Sequence, residues 1–298
     1  MSPLRIWIAA SRPQTLPAAI APVLVGSAAA YYVADELRVG AFVAALAGSI
    51  FIQIGTNLAN DYSDAKRGTD TADRLGPVRV TASGLAAPRR VLYATWVAFA
   101  VAIACGIYLA TVAGPVIIAV GVVSILAGVL YTGGPRPYGY AGLGELFVFL
   151  FFGLVAVNGS YYVQLERLDW LPFGLSISIG ALATAILVVN NVRDIETDRR
   201  AGKNTLAVRL GRERARRLFM VLLGVAYIAL PVTLALEDGP WAAMLGALSA
   251  PLALPALRPV LTRTDGPALN GALAATGRLL GVFSLLVSAG LVIAASTA

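Results

Sequence analysis

The chain contains no histidine and a single cysteine, Cys105. The first absence removes the commonest general base and the commonest transition-metal ligand. The second excludes disulfides and thiolate metal clusters within one chain, and Cys105 lies inside an apolar run, where free Cys acts as a small packing residue. Charge is also scarce: 13% of the 298 residues are charged, against about 25% in an ordinary soluble domain. With 58% hydrophobic residues, that deficit makes the bilayer the expected solvent. The net charge of +7 is therefore read as a topology signal and not as a nucleic-acid surface, because cytoplasmic loops of membrane proteins collect Lys and Arg.

Apolar runs fall at about 14–34, 40–60, 91–112, 114–132, 142–162, 171–191, 216–236, 240–261 and 277–296. Each approaches the roughly 20 residues a membrane helix needs, and none has the strict alternation of barrel strands. The first is broken at its start by Pro13 and Pro17, runs on to Val33 and reads as a membrane helix and not a removed leader. The eighth carries Pro251, Pro255 and Pro259, which kink or end helices. The expectation is an all-α, multi-pass membrane protein: one domain spanning 1–298, with about nine helices around a central cavity. With the N-terminus inside and the C-terminus outside, every one of the 23 Lys and Arg except Arg38 and Arg167 falls on the inner side. Localisation to the cell membrane, with the functional face on the cytoplasmic side, follows from that reading.

Two inner loops mix acids with bases. Asn57, Asp61 and Asp64 end the second run, and their spacings of four and three share a helical face. Asn190, Asp194 and Asp198, each four apart, end the sixth. Asn190 lies 133 residues after Asn57, and each motif has a similar tail, Lys66-Arg67-Gly-Thr-Asp70 and Gly202-Lys203-Asn-Thr205. This is a weak internal repeat whose halves are expected to face carboxylates across a cavity. Ionisable groups at membrane depth are costly and mark function. Clustered carboxylates without inward-facing bases would repel, which a divalent cation relieves; oxygen donors without His or Cys suit Mg²⁺, which shares its shell with phosphates. Lys66, Arg67, Arg79 and Lys203 are placed to neutralise phosphate. Asp73, Glu196 and Glu213 read as solvated loop charges.

These residues carry a resemblance. Asn190, Asp194 and Asp198 match the Asn-x₃-Asp-x₃-Asp motif of the UbiA superfamily of intramembrane aromatic prenyltransferases, and the similarity covers essentially the whole chain. The first motif departs from the commonest pattern: position 65 is Ala, and acids stand at Asp64 and Asp70. That departure resembles the branch acting on 1,4-dihydroxy-2-naphthoate in menaquinone biosynthesis. So do Arg12-Pro-Gln-Thr-Leu-Pro, Gly76-Pro-Val-Arg79 with Ser83-Gly84, and Tyr131-Thr-Gly-Gly-Pro-Arg136-Pro-Tyr138 followed by Gly142-Leu-Gly-Glu145.

The resemblance implies transfer of a polyprenyl group from polyprenyl diphosphate to dihydroxynaphthoate, with decarboxylation to demethylmenaquinol. It implies Asp61, Asp64, Asp194 and Asp198 holding two Mg²⁺ ions on the diphosphate, with Asn57, Asn190 and Asp70 as further ligands. Lys66, Arg67, Arg79, Arg136 and Lys203 would clamp phosphate, and Arg12, Arg79 or Arg136 would read the acceptor carboxylate. Tyr131, Tyr138, Tyr140, Phe147, Phe151 and Tyr161 are either faces for an allylic cation or plain interfacial aromatics. Other acceptors of the superfamily (4-hydroxybenzoate, homogentisate, a chlorophyllide, or phosphoribose-donor chemistry) and a secondary transporter with inverted repeats are the competing expectations.

Overall fold

The computed structural model describes residues 2–69 and 75–297. An amphipathic helix α1 (Pro3–Ser11) and a 3₁₀ turn (Pro13–Thr15) lead into α2 (Pro17–Ala34). There follow α3 (Val39–Arg67), α4 (Pro88–Ala113), α5 (Val116–Leu130), α6 (Gly144–Leu165), α7 (Trp170–Arg200), the short α8 (Leu206–Leu210), α9 (Arg212–Leu236), α10 (Trp241–Thr262) and α11 (Gly266–Thr297). Every apolar run of the sequence lies on one of these helices. Among the described residues eight helices are long and apolar enough to cross a bilayer; the exception among the nine runs is α5. Its 15 residues reach about 22 Å at 1.5 Å per residue, short of a hydrocarbon core of about 30 Å.

Two helices overrun their apolar stretches, and both carry motifs. α3 continues to Arg67 and α7 to Arg200, so the acids of each motif stand on helix and not on loop. Each overrun stops at a small-residue turn. Gly68 takes φ +67°, its amide returning to Ala65, and Gly202 takes φ +73° after α7. A side chain at either position would be forced into the left-handed region.

α7 is the central post. Of its apolar window 78% is buried, against 22–61% for the other spans, and it packs against α2, α6, α9 and α11. Lipid supplies no hydrophobic drive between helices, so close van der Waals approach must hold them together. Small residues permit it: a Cβ on Gly153 of α6 would lie 2.8 Å from Cα of Gly180 on α7. At that crossing α6 winds as a π-helix from Phe149 to Val155, the kind of local widening that recurs at functional sites. The prolines of α10 act unevenly: Pro251 lies in its 3₁₀ part, whereas Pro259 is carried inside its α-helical part. The helix begins as 3₁₀ from Trp241 to Ala253 and turns α-helical at Leu254, with Pro255 tolerated in the first turn.

Candidate active site

One face of α3 presents Gln53, Asn57, Asn60 and Asp64 to a cavity of about 350 Å³; the facing end of α7 presents Asn190, Asn191, Asp194 and Asp198. Arg12, Arg79, Lys203 and Tyr140 complete the polar end. The rest of the wall is mostly apolar, with Ile52, Leu109, Ile117, Val120, Phe152 and Ile186 among its residues and a few hydroxyls such as Ser49 and Ser124. The chamber thus joins a charged mouth, where Asp64, Asp194 and Asp198 stand, to a largely apolar interior.

Asp64 is the hub. Its carboxylate is buried; Oδ1 accepts from the Tyr140 hydroxyl at 2.5 Å, and Oδ2 accepts from Arg79 Nη2 and Lys203 Nζ, each at 3.2 Å. Lys203 Nζ also stands 4.8 Å from the centroid of the Tyr140 ring. The turn after α7 delivers this lysine: its amide donates to the Asp198 carbonyl at 2.8 Å. Burial, and then the neighbouring Asp64 charge, push the Tyr140 hydroxyl well above its ordinary pKa, so it remains a donor.

Asp194 is equally enclosed. Arg193 grips it with both arms of the guanidinium, Nε to Oδ1 at 2.8 Å and Nη2 to Oδ2 at 2.6 Å. Arg193 Nη2 also donates to Asn190 Oδ1, and Nη1 to Asn270 Oδ1 on α11, each at 2.7 Å. This corrects the expectation of unbalanced acids: Asp64 and Asp194 each have a buried cationic partner. Mutual repulsion of carboxylates is therefore no argument for a metal here.

Asp61 departs from its expected place. It shares helix α3 with Asp64 but does not line the chamber. Its two oxygens accept the backbone amides of Thr81 (2.9 Å) and Val80 (3.0 Å). A carboxylate accepting two amides is well satisfied, and Asp61 fastens the loop that brings Arg79 into the mouth. Asn57, though it lines the chamber, donates to the Ser11 carbonyl and to Thr15 Oγ1, which docks the N-terminal segment against α3. Arg12 beside it holds a left-handed backbone, φ +53°.

The expected phosphate clamps divide. Arg79 and Lys203 are buried in the mouth. Lys66, Arg67 and Arg136 are exposed and do not line the chamber; Arg67 donates to the Gly134 carbonyl. Their long side chains lie at helix and loop ends where water competes for them, which spacing alone does not disclose. Asp70 lies outside the described residues. Of the aromatics, Tyr131, Tyr138, Phe147 and Phe151 form a continuous run along the wall, with successive centroids 5.5, 4.1 and 6.0 Å apart. Tyr161 does not join them; it is fully buried among helices and donates to Asp169 at the opposite end.

The sequence reading missed Asn60, Asn191, Arg193 and Asn270. Asn60 accepts from Thr132 at 2.8 Å, and Asn191 donates to the buried Glu145 at 2.9 Å. For Asn60 a signal existed: 53, 57, 60 and 64 trace one helical stripe. Nothing local signals Asn270, which is 77 residues from its partner Arg193.

The comparisons agree with this geometry. Residues 19–275 match the UbiA prenyltransferase family. The chain is 47% identical over 96% of both chains to a 1,4-dihydroxy-2-naphthoate octaprenyltransferase of Mycobacterium tuberculosis. It is 45% identical over 97% of both to the enzyme of the same name from Mycobacterium leprae. A UbiA homolog from Archaeoglobus fulgidus, solved with GPP and Mg²⁺, superposes with a TM-score of 0.67 at 17% identity, over 98% of this chain and 99% of that one. An all-helical membrane fold with paired polar motifs at one mouth, matched along its length to these proteins, is that of the UbiA prenyltransferase family, and the chain belongs to it.

Proposed function

We propose that the chain transfers a polyprenyl group from a polyprenyl diphosphate to 1,4-dihydroxy-2-naphthoate, with loss of the ring carboxyl as CO₂, in menaquinone biosynthesis. The observation that carries this reading is the single chamber with two chemistries, a charged mouth of Asp64, Arg79, Asp194, Asp198 and Lys203 continuous with an aromatic and aliphatic interior. The naphthoate acceptor is the one named for relatives at 47% and 45% identity.

The donor set at the mouth fits magnesium. Asp64, Asp194 and Asp198 with Asn60, Asn190 and Asn191 are hard oxygen and amide groups. Among the described residues no group of three or more acidic side chains could hold an ion by itself, so diphosphate and water would have to supply the rest of the Mg²⁺ shell. When bound, the metal would neutralise charge developing on the departing diphosphate. Asp64, Asp194 and Asp198 would hold it, and Arg79 and Lys203 would bind the diphosphate oxygens directly.

Ionisation breaks the allylic C–O bond, and the electron pair leaves with the diphosphate. The cation left behind faces Tyr131, Tyr138, Phe147 and Phe151, whose rings stabilise it, and the apolar wall withholds water from it. The naphthoate ring supplies the electron pair of the new C–C bond from its carboxylate-bearing carbon; the bond from that carbon to the carboxylate then breaks, its electron pair restores the aromatic ring, and CO₂ departs. Arg12, on the wall beside Thr15, Gln53 and Asn57, would read the acceptor carboxylate; Arg79 is assigned to the diphosphate, and exposed Arg136 is off the chamber. We read the mouth as facing the cytoplasm, because loops rich in Lys and Arg favour that side of the membrane.

The test is an acceptor panel. Membranes given labelled polyprenyl diphosphate should prenylate dihydroxynaphthoate at least tenfold faster than 4-hydroxybenzoate or homogentisate. Preference for either of the latter would reassign the acceptor.

A further inference from the structure

The loop after the first motif is tied at both ends. At one end Val80 and Thr81 donate to Asp61, and Arg79 pairs with Asp64. At the other the Leu75 carbonyl accepts from Asn270 Nδ2 at 3.0 Å. The same Asn270 side chain accepts, through Oδ1, from Arg193 at 2.7 Å, and Arg193 grips Asp194. Gly266, one turn before Asn270, packs on Leu75 so closely that a Cβ there would lie 3.0 Å from the Leu75 side chain and carbonyl. A continuous path therefore runs from Asp194, through Arg193 and Asn270, to the loop that delivers Arg79.

We propose that Arg193 and Asn270 are positioning residues that couple Asp194 to the placement of Arg79. A guanidinium is a rigid planar fork. When Asp194 takes up a ligand, the fork that holds both its oxygens must shift or share, and Asn270 is the group on its far arm. Asn270 passes that change to Leu75, four residues before Arg79. The two motifs, 133 residues apart in sequence, thereby respond as one, and engagement of the second motif sets the cation that serves the first. This rests on the reading of the mouth as a diphosphate site.

Asn270 is the residue to change, because removing Arg193 would break a buried ion pair with Asp194, a strongly destabilising change. Asn270→Ala cuts both links. Asn270→Asp keeps an acceptor for Arg193 but loses the amide that holds Leu75. The probe is magnesium pyrophosphate, and the readout is hydrogen exchange of segment 75–87 on the full chain in detergent. In the unsubstituted protein the probe should slow exchange in this segment and at the end of α7. In both variants slowing at α7 should persist while slowing in 75–87 is lost. Donor KM should rise about tenfold with kcat changed less than threefold.

Ligand-induced protection of 75–87 that survives in both variants would overturn the coupling and leave the diphosphate site standing. No change anywhere in the unsubstituted protein would overturn the site reading and the coupling together.

Discussion

Asp64 and Lys203 meet at 3.2 Å, although 139 residues separate them in sequence. One ends the first motif and the other follows the second, so this pair closes the mouth of the chamber. Lys203 balances Asp64, and in the proposed reaction it also meets the diphosphate. Lys203→Met should lower kcat/KM for the donor about 10²-fold, near 2.7 kcal/mol in the transition state. Lys203→Arg, which keeps the charge, should stay within about tenfold of the parent. Steady-state kinetics in detergent checks both.

Asp61 and Asp64 should separate cleanly. Asp64→Asn removes a carboxylate from the mouth, and turnover should fall by about 10³-fold at any temperature. Asp61→Asn weakens the fastening of Val80 and Thr81. Its cost should appear first as stability, on the order of 1–3 kcal/mol, with faster proteolysis between 75 and 87. Turnover should recover when the assay is cooled. An Asp61→Asn protein of parental stability but without activity would return Asp61 to the reacting centre.

The basic residues make a graded series. Lys66→Ala and Arg136→Ala alter exposed side chains off the chamber, and each should leave kcat/KM within about threefold, as exposed charges usually do. Arg79→Ala should cost about 10²-fold, because it removes a buried cation beside Asp64. Donor titrations of the three variants, run side by side, provide the check.

Along the wall, Tyr138 and Phe147 stack at 4.1 Å. A face that stabilises a passing cation affects kcat more than KM. Phe147→Leu preserves bulk and apolarity but removes the ring, and kcat should fall roughly tenfold, within the 0.5–2 kcal/mol of a cation–π contact. A change confined to KM would make these rings a binding surface for the prenyl chain.

Much of the architecture was legible in the sequence because lipid imposes a simple rule. A helix must carry about 20 apolar residues to cross; among the described residues each of the nine apolar runs lies on a helix, and eight of those helices meet that length while α5 does not. The second motif was legible too, since Asn190, Asp194 and Asp198 do line one wall. In the first motif, Asp64 lines the chamber and Asp61 does not. Spacings of four and three place 57, 61 and 64 together, but a helical face is broad, and which edge meets the chamber depends on neighbours. Here the edge bearing Asp61 meets the loop amides of Val80 and Thr81, 19 and 20 residues onward. Arg193 was hidden for a similar reason: beside Asp194 it reads as one more loop cation, and only the helix packing that buries it reveals an internal partner. Surface cations such as Lys66 and Arg136 could not be told from buried ones such as Lys203, because that distinction belongs to tertiary structure.

The most direct measurement uses dihydroxynaphthoate labelled in its carboxyl carbon. With polyprenyl diphosphate and Mg²⁺, the purified chain should release one labelled CO₂ per prenyl group transferred. Omitting the diphosphate, adding excess EDTA, or introducing Asp64→Asn should each suppress the release. Prenyl transfer that leaves the label in the product, or release that continues in EDTA, would contradict the account.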